Sequence, residues 1–245
     1  MNLSSLSFLE RLRSVQKQQY VVLGLGRFGR AVCSTLHQMG YEVLGIDSSE
    51  SLITQALDDR IVSHAIQLDT TNRLAMEEAG VFDFETAIVA IGNYIEASVI
   101  ATLNLKEAGV NYVLAKASSD IHGKLLRKVG ADLVVFPEHE MGCQVGRSLV
   151  QPNILERLDL DANSSIVEVI VPQEFDGKSI AELQLRARYG INLLALSRAP
   201  VQEEAHTGAD RCERFDVNVD PSMRLRRGMV MVVIGDRRAL SSLPI

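Results

Sequence analysis

The chain has 245 residues, 47% hydrophobic and 23% charged, with a formal net charge of −6. This is enough apolar material for a core in one domain or two, and the acidic balance argues against a general nucleic-acid binder, which needs a basic face to release counterions. Three widely spaced cysteines, Cys33, Cys143 and Cys212, contain no C-x-x-C and read as thiols of a reducing compartment rather than a disulfide framework.

Residues 1–18 set Leu3, Leu6, Phe8, Leu9 and Leu12 among Glu10, Arg11 and Arg13, which reads as an amphipathic helix capped by Ser5 or Ser7. It is short and weakly basic for a membrane surface, and its charges interrupt what a signal peptide requires. No run in the chain approaches the ~18–20 apolar residues that cross a bilayer.

The apolar run Val21-Val22-Leu23 leads into Gly24-Leu25-Gly26-Arg27-Phe28-Gly29 and then into a helical pattern. In such a G-x-G-x-x-G turn the first glycine allows the bend. The second lets the backbone approach a phosphate, and the third packs helix against strand. The helix directs its unpaired N–H groups at the same spot. A second strand, 42–46, ends in Asp47, 21 positions past Gly26, close to the ~20 expected of an acid that holds a ribose. The plain alternative is a capped glycine turn, and Asp47 with Glu50 fits a capping box. Arg27 places a guanidinium inside the loop, suited to a ligand more highly charged than a pyrophosphate. Arg30, one turn on, reads as surface.

From 19 to 136 the pattern alternates strand and amphipathic helix. Strands are expected at 20–23, 42–46, 65–68, 86–91, 112–116 and 133–136, with helices at 27–39, 49–58, 72–79, 94–108 and 119–129. Gly40, Gly80, Gly109 and Gly130 close four of the helices. The alternation predicts a Rossmann-like doubly wound parallel sheet of order 3-2-1-4-5-6, with a crevice between strands 1 and 4. Three further stretches face that crevice. Asp69-Thr70-Thr71 follows strand 3 and is equally a helix cap. Ile91-Gly92-Asn93 follows strand 4, where Asn93 and Glu96 make a second capping pattern. Lys116 ends strand 5 and is either at the crevice or a solvated edge charge.

Beyond Pro137 the pattern changes. Residues 138–150 read as a helix, Gln151-Pro152-Asn153 as a break, and 154–158 as a second helical piece, so that 138–161 forms a link. Residues 162–245 read as a small α+β lobe. Its strands are expected at 166–171, 191–197, 215–219 and 229–234, with one helix at 179–189 opened by Ser179 and Glu182 and a last turn at 238–243. Glu138 and Glu140 are oxygen donors suited to a hard cation such as Mg²⁺ or Ca²⁺, and equally plain dipole partners in a first helical turn. The five histidines have no zinc-site spacing. Neither G-x-S-x-G nor G-x-x-x-x-G-K-[ST] occurs, and no acid/base pair stands out in the second lobe. A dehydrogenase would need such a pair beside its nicotinamide.

The loop Gly24–Gly29, Val89-Ala90-Ile91-Gly92-Asn93, Gly130-Ala131-Asp132 and Phe136-Pro137-Glu138, with Gly190 to Arg198, Pro221 and Val232-Val233-Ile234-Gly235, resemble the RCK (regulator of potassium conductance) family of TrkA/KtrA-type regulatory subunits over residues 19–235. The resemblance implies a non-enzymatic, cytoplasmic homo-oligomer, an octameric ring of RCK dimers. Such a ring attaches to the inner face of the plasma membrane through a membrane-embedded KtrB/TrkH-type potassium-translocating subunit. ATP and ADP would compete for the glycine-loop site, ATP favouring conduction, with the linking helices crossing to a partner subunit. The binding set carried over is Gly24, Gly26, Arg27, Phe28, Gly29, Asp47, Ser48, Asp69, Thr70, Ile91, Gly92, Asn93 and Lys116. Arg27 would reach a neighbour's phosphates, Asp47 would hold the ribose, and Asp69-Thr70 would flank the adenosine. Glu138 would bind the divalent cation, Mg²⁺ or Ca²⁺. Some members bind cyclic di-AMP in the C-terminal lobe. Two positions depart from the family pattern: Leu68 stands where Gly is common, and Ser197-Arg198 where Lys-Arg is common. An NAD(H)-binding oxidoreductase, an NAD(H)-regulated TrkA-type subunit and a cyclic di-AMP module remain as alternatives.

Overall fold

A computed structural model describes residues 19–92, 94–198 and 215–244; the amphipathic segment expected at 1–18, Asn93 and Cys212 lie outside the described residues. Two units divide at Met141 and Gly142, within the helix Pro137–Val150.

In the first unit, strands β1 (Gln19–Leu23), β2 (Glu42–Asp47), β3 (His64–Gln67), β4 (Thr86–Val89), β5 (Tyr112–Lys116) and β6 (Leu133–Val135) form one parallel sheet. Its order is β3-β2-β1-β4-β5-β6, the order expected. Helices α1 (Arg27–Gln38), α2 (Glu50–Asp58), α3 (Arg73–Glu78), α4 (Ile95–Glu107) and α5 (Asp120–Lys128) alternate with the strands. Successive residues of β1 supply opposite faces of the sheet. Val21 and Leu23 join a core with Ile46, Val89 and Leu105. Val22 joins a second core with Cys33, Val43 and Ile88. Both faces are therefore dry, as a parallel sheet requires. Burial pushes the Cys33 thiol up to about 12, which leaves it an inert core residue. Gly40, Gly80, Gly109 and Gly130 all take positive φ, consistent with left-handed closures.

The second unit is an antiparallel sheet of β7 (Ile154–Asp159), β8 (Ser164–Ile170), β9 (Asn192–Ser197), β10 (Phe215–Asp216) and β11 (Val230–Asp236), in the order β10-β9-β11-β8-β7. Helix α6 (Pro137–Val150) precedes it, with Met141 57%, Val145 50% and Leu149 79% exposed. Three expectations need correction. The stretch 154–158 is a strand, not a helix: it pairs with β8 from Ile154↔Val169 to Asp159↔Ser165. Five residues are too few for periodicity to separate the two states, and the pairing partner decides. The helix expected at 179–189 is two short pieces, α7 (Ile180–Leu183) and α8 (Leu185–Tyr189), broken where Gln184 takes φ 47°. The capping box of Ser179 and Glu182 does form. The strand expected at 215–219 ends at Asp216. The last helix, α9, is Arg237–Ser241. Among the described residues no helix is long and apolar enough to cross a membrane.

One buried polar cluster ties α4 to α5. The Ser118 N–H donates to His122 Nδ1 at 3.2 Å, which leaves the proton on Nε2, 2.6 Å from Ser98 Oγ. Ser98 Oγ in turn donates to the Ile95 carbonyl. His122 is fully buried, and desolvation lowers its pKa. The unfolded chain therefore takes up a proton that the folded one refuses, so this contribution to stability is complete above about pH 6.5 and is lost as pH falls from there toward the lower pKa of the folded state. Thermal melts should place His122→Gln below the wild type at pH 7.5, with the gap narrowing by pH 5.5; a gap independent of pH would refute this role.

Candidate functional site

The site begins where β1 ends. Gly24 turns the chain at φ +100°, and its N–H donates to the Ile46 carbonyl at 2.7 Å. A Cβ on Gly24 would stand 3.0 Å from the Ala90 carbonyl carbon. Gly29 sits beneath the loop, where a Cβ would run into the Gly24 carbonyl oxygen. Gly26, the residue that caps α1, has φ −66° and no side-chain cap, and a Cβ there would meet nothing within 4 Å. The three glycines thus serve turning, close packing and an open approach. Helix geometry leaves the N–H groups of the first turn of α1 without intrahelical partners.

Asp47 braces this loop. Its Oδ2 accepts the Leu25 N–H at 2.7 Å and its Oδ1 accepts the Ser49 N–H at 2.9 Å. The capping box expected between Asp47 and Glu50 does not form; Ser49 caps α2 without a side-chain bond. Asp69 is likewise occupied locally, its Oδ1 accepting the Thr71 N–H and Oγ1 at 2.9 and 2.8 Å. Those two bonds lower its pKa. Asn72, not Asp69, caps α3.

These elements enclose a cavity of about 450 Å³, within the range of small-ligand sites. Of the residues expected from sequence, Gly24, Gly26, Arg27, Phe28, Asp47 and Ser48 line it from one side. Asp69, Thr70, Ile91, Gly92, Lys116 and Glu138 line it from the others. Gly29 supports the loop from below. The residue that caps α4 is Tyr94, without a side-chain bond; the capping pattern expected of Asn93 with Glu96 lies outside the described residues. Sequence reasoning missed Ser49, Leu52, Leu68, Ala90, Tyr94 and Ala97 as lining residues. Ser49 with Leu52, and Tyr94 with Ala97, are i, i+3 pairs on the first turns of two helices that open at the crevice, a spacing that puts both on one face. Leu52, Leu68 and Ile91 give the cavity apolar lining suited to a flat ring.

Lys116 is not a solvated edge charge. Its side chain is 12% exposed, and its Nζ lies 2.5 Å from Glu138 Oε1 and 5.8 Å from the centre of the Phe28 ring. The bond from Lys116 holds the Glu138 carboxyl below its ordinary pKa, helped by the charge of Arg27. Arg30 departs from the surface reading: it pairs with Asp59 and is only 24% exposed. Among the described residues no three His, Cys, Asp or Glu side chains gather into a metal site. Glu138 alone would hold Mg²⁺ or Ca²⁺ only with oxygens from elsewhere, such as a ligand's phosphates.

Comparison with known proteins agrees with this geometry. The TrkA-N domain model matches residues 20–137 and the TrkA-C domain model residues 165–243. The chain is 39% identical over 182 residues to the Ktr system potassium uptake protein A of Bacillus subtilis, covering 74% of this chain and 81% of that one. It is 38% identical to the Ktr system potassium uptake protein C of the same organism, at the same coverage. With the Ktr system potassium uptake protein A of Vibrio alginolyticus it shares 32% identity over 225 residues, 92% of this chain and 96% of that one. In fold it is similar to the GsuK channel bound to NAD, with a TM-score of 0.61 at 16% identity, over 98% of this chain and 43% of that one. The GsuK RCK domain gives a TM-score of 0.52 at 22% identity, covering 98% of this chain and 49% of that one.

The glycine geometry makes a paired test. Gly29→Ala forces backbone apart and should lower unfolding stability by roughly 1–3 kcal/mol, read by urea denaturation. Gly26→Ala should leave stability within about 0.5 kcal/mol, because its backbone angle and surroundings accept a methyl group. Similar losses for the two would contradict the division of roles.

Proposed function

The chain belongs to the TrkA/KtrA-type RCK family, and we propose that it is the regulatory subunit of a Ktr-type potassium uptake system, gated by the adenine nucleotide in its glycine-loop cavity. The observation that carries this reading is the cavity itself. An uncapped helix terminus, an open Gly26 and two cations, Arg27 and Lys116, converge on a space that also has an apolar wall. Phosphates would lie on the α1 terminus and the cations. A ribose would meet the remaining lone pairs of Asp47, and the base would pack on Leu52, Leu68 and Ile91.

ATP can drive a conformational change only by binding one arrangement of subunits better than another. Arg27, reaching a neighbour's γ-phosphate, and Glu138, holding Mg²⁺ or Ca²⁺ against the same phosphates, would supply that difference at a subunit boundary. ADP lacks the group they share. The apolar side of α6, with Met141, Val145 and Leu149 one helical turn apart, supports assembly through a second copy of the chain. We read residues 19–137 as the nucleotide domain, 138–161 as the link and 162–245 as the second lobe. The complete assembly would be a cytoplasmic octameric ring beneath a KtrB/TrkH-type membrane subunit. In the second lobe Ser197-Arg198 offers a cyclic di-AMP one cation where the family pattern has two.

NAD(H) is the second reading. Asp47 suits its adenosine ribose as well as that of ATP, and the GsuK channel, similar in fold, has been solved bound to NAD. Titrating the purified chain with ATP, ADP, NAD and NADH, with and without Mg²⁺ or Ca²⁺, separates the two. ATP and ADP should bind more tightly than NADH; preference for NADH with turnover of a substrate would replace the regulatory reading with an enzymatic one. Arg27→Ala should reduce ATP-stimulated potassium flux by about tenfold or more, as the loss of a charged hydrogen bond implies, while ADP affinity changes less. Equal losses for both nucleotides would remove Arg27 from γ-phosphate recognition.

A further inference from the structure

Lys116 and Glu138 are unequal partners. The lysine side chain is 12% exposed and the glutamate 66%. The ammonium is confined by the Phe28 ring at 5.8 Å and by Gly92, where an added Cβ would stand 2.8 Å from Nζ. It is the more buried member of the pair. The carboxylate, in the first turn of α6, can turn into solvent at little cost. Both groups line the cavity, on the side away from Asp47.

We propose that Lys116 exchanges partners: the phosphates of a bound nucleotide displace Glu138 from the ammonium, and the released carboxylate becomes available to a divalent cation. A phosphate carries more negative charge than a carboxylate and meets a buried ammonium, whereas Glu138 is already about two-thirds exposed. Lys116 thus blocks Glu138 as a cation ligand until phosphate arrives. Phosphate and cation then favour each other through one side chain, and the coupling must be reciprocal. The exchange also carries occupancy of the cavity to the first turn of α6. It rests on the nucleotide reading of the site.

Isothermal titration of the 245-residue chain with ADP and with adenosine, in buffer freed of divalent cations by EDTA, tests it. Glu138→Gln removes the competitor and should tighten ADP about fivefold, leaving adenosine unchanged. The gain should vanish in a Lys116→Met background, where there is no ammonium to compete for. A gain of equal size in that background would make Glu138 a mere repulsive charge near the phosphates and overturn the exchange, as would no gain at all. If the wild type binds ADP without the expected gain, the exchange alone falls; if it binds no ADP, the nucleotide reading falls with it. Thermal melts establish that each variant folds, and Lys116→Gln replaces the methionine variant should that one not.

Discussion

The first unit depends on one close approach of backbone to backbone. Gly29 stands so near the Gly24 carbonyl oxygen that it has no room for a side chain, Gly24 is itself crowded by the Ala90 backbone, and Asp47 locks the loop from the neighbouring strand through the Leu25 N–H. Strand β1, helix α1 and the end of β2 are joined at that point. The helix terminus is therefore aimed before any ligand arrives, and binding incurs little cost for ordering the loop. Asp47 serves the fold first, and whatever it offers a ribose is what remains after two main-chain hydrogen bonds.

Charge is distributed around this rigid element by depth. Asp47 and Asp69 are held by local N–H and O–H donors, whereas Lys116 sits deep and Glu138 shallow. A deep cation with a shallow anion is an arrangement in which a stronger anion can compete, because only one member of the pair must move. The cavity lining combines these charged groups with the apolar Leu52, Leu68 and Ile91, the combination that a nucleotide presents.

Much of this was legible in the sequence because the first unit obeys local rules. Each strand is short and β-branched, four of its helices close on glycine, and the glycine loop announces the order of the sheet. The lining residues at Ser49 and Tyr94 were less visible, since they matter only once two helix starts converge from distant parts of the chain. The second unit was harder for the same physical reason. Residues 154–158 carry no decisive period, and their state is set by pairing with β8, a partner defined only after the chain turns at Asp161. Gln184 gave no warning, because a left-handed residue other than glycine is a product of its packing rather than of its identity.

Gly92 carries no charge, yet it bears on the charge at the end of another strand. The room it leaves is occupied by the Lys116 ammonium, so the two positions, 24 residues apart in sequence, form one genetic unit. A neutral change at Gly92 pushes the end of the Lys116 side chain aside without touching its charge. Substitutions at Gly92 should then act through the position of the Lys116 ammonium, and should add little once Lys116 itself has been replaced.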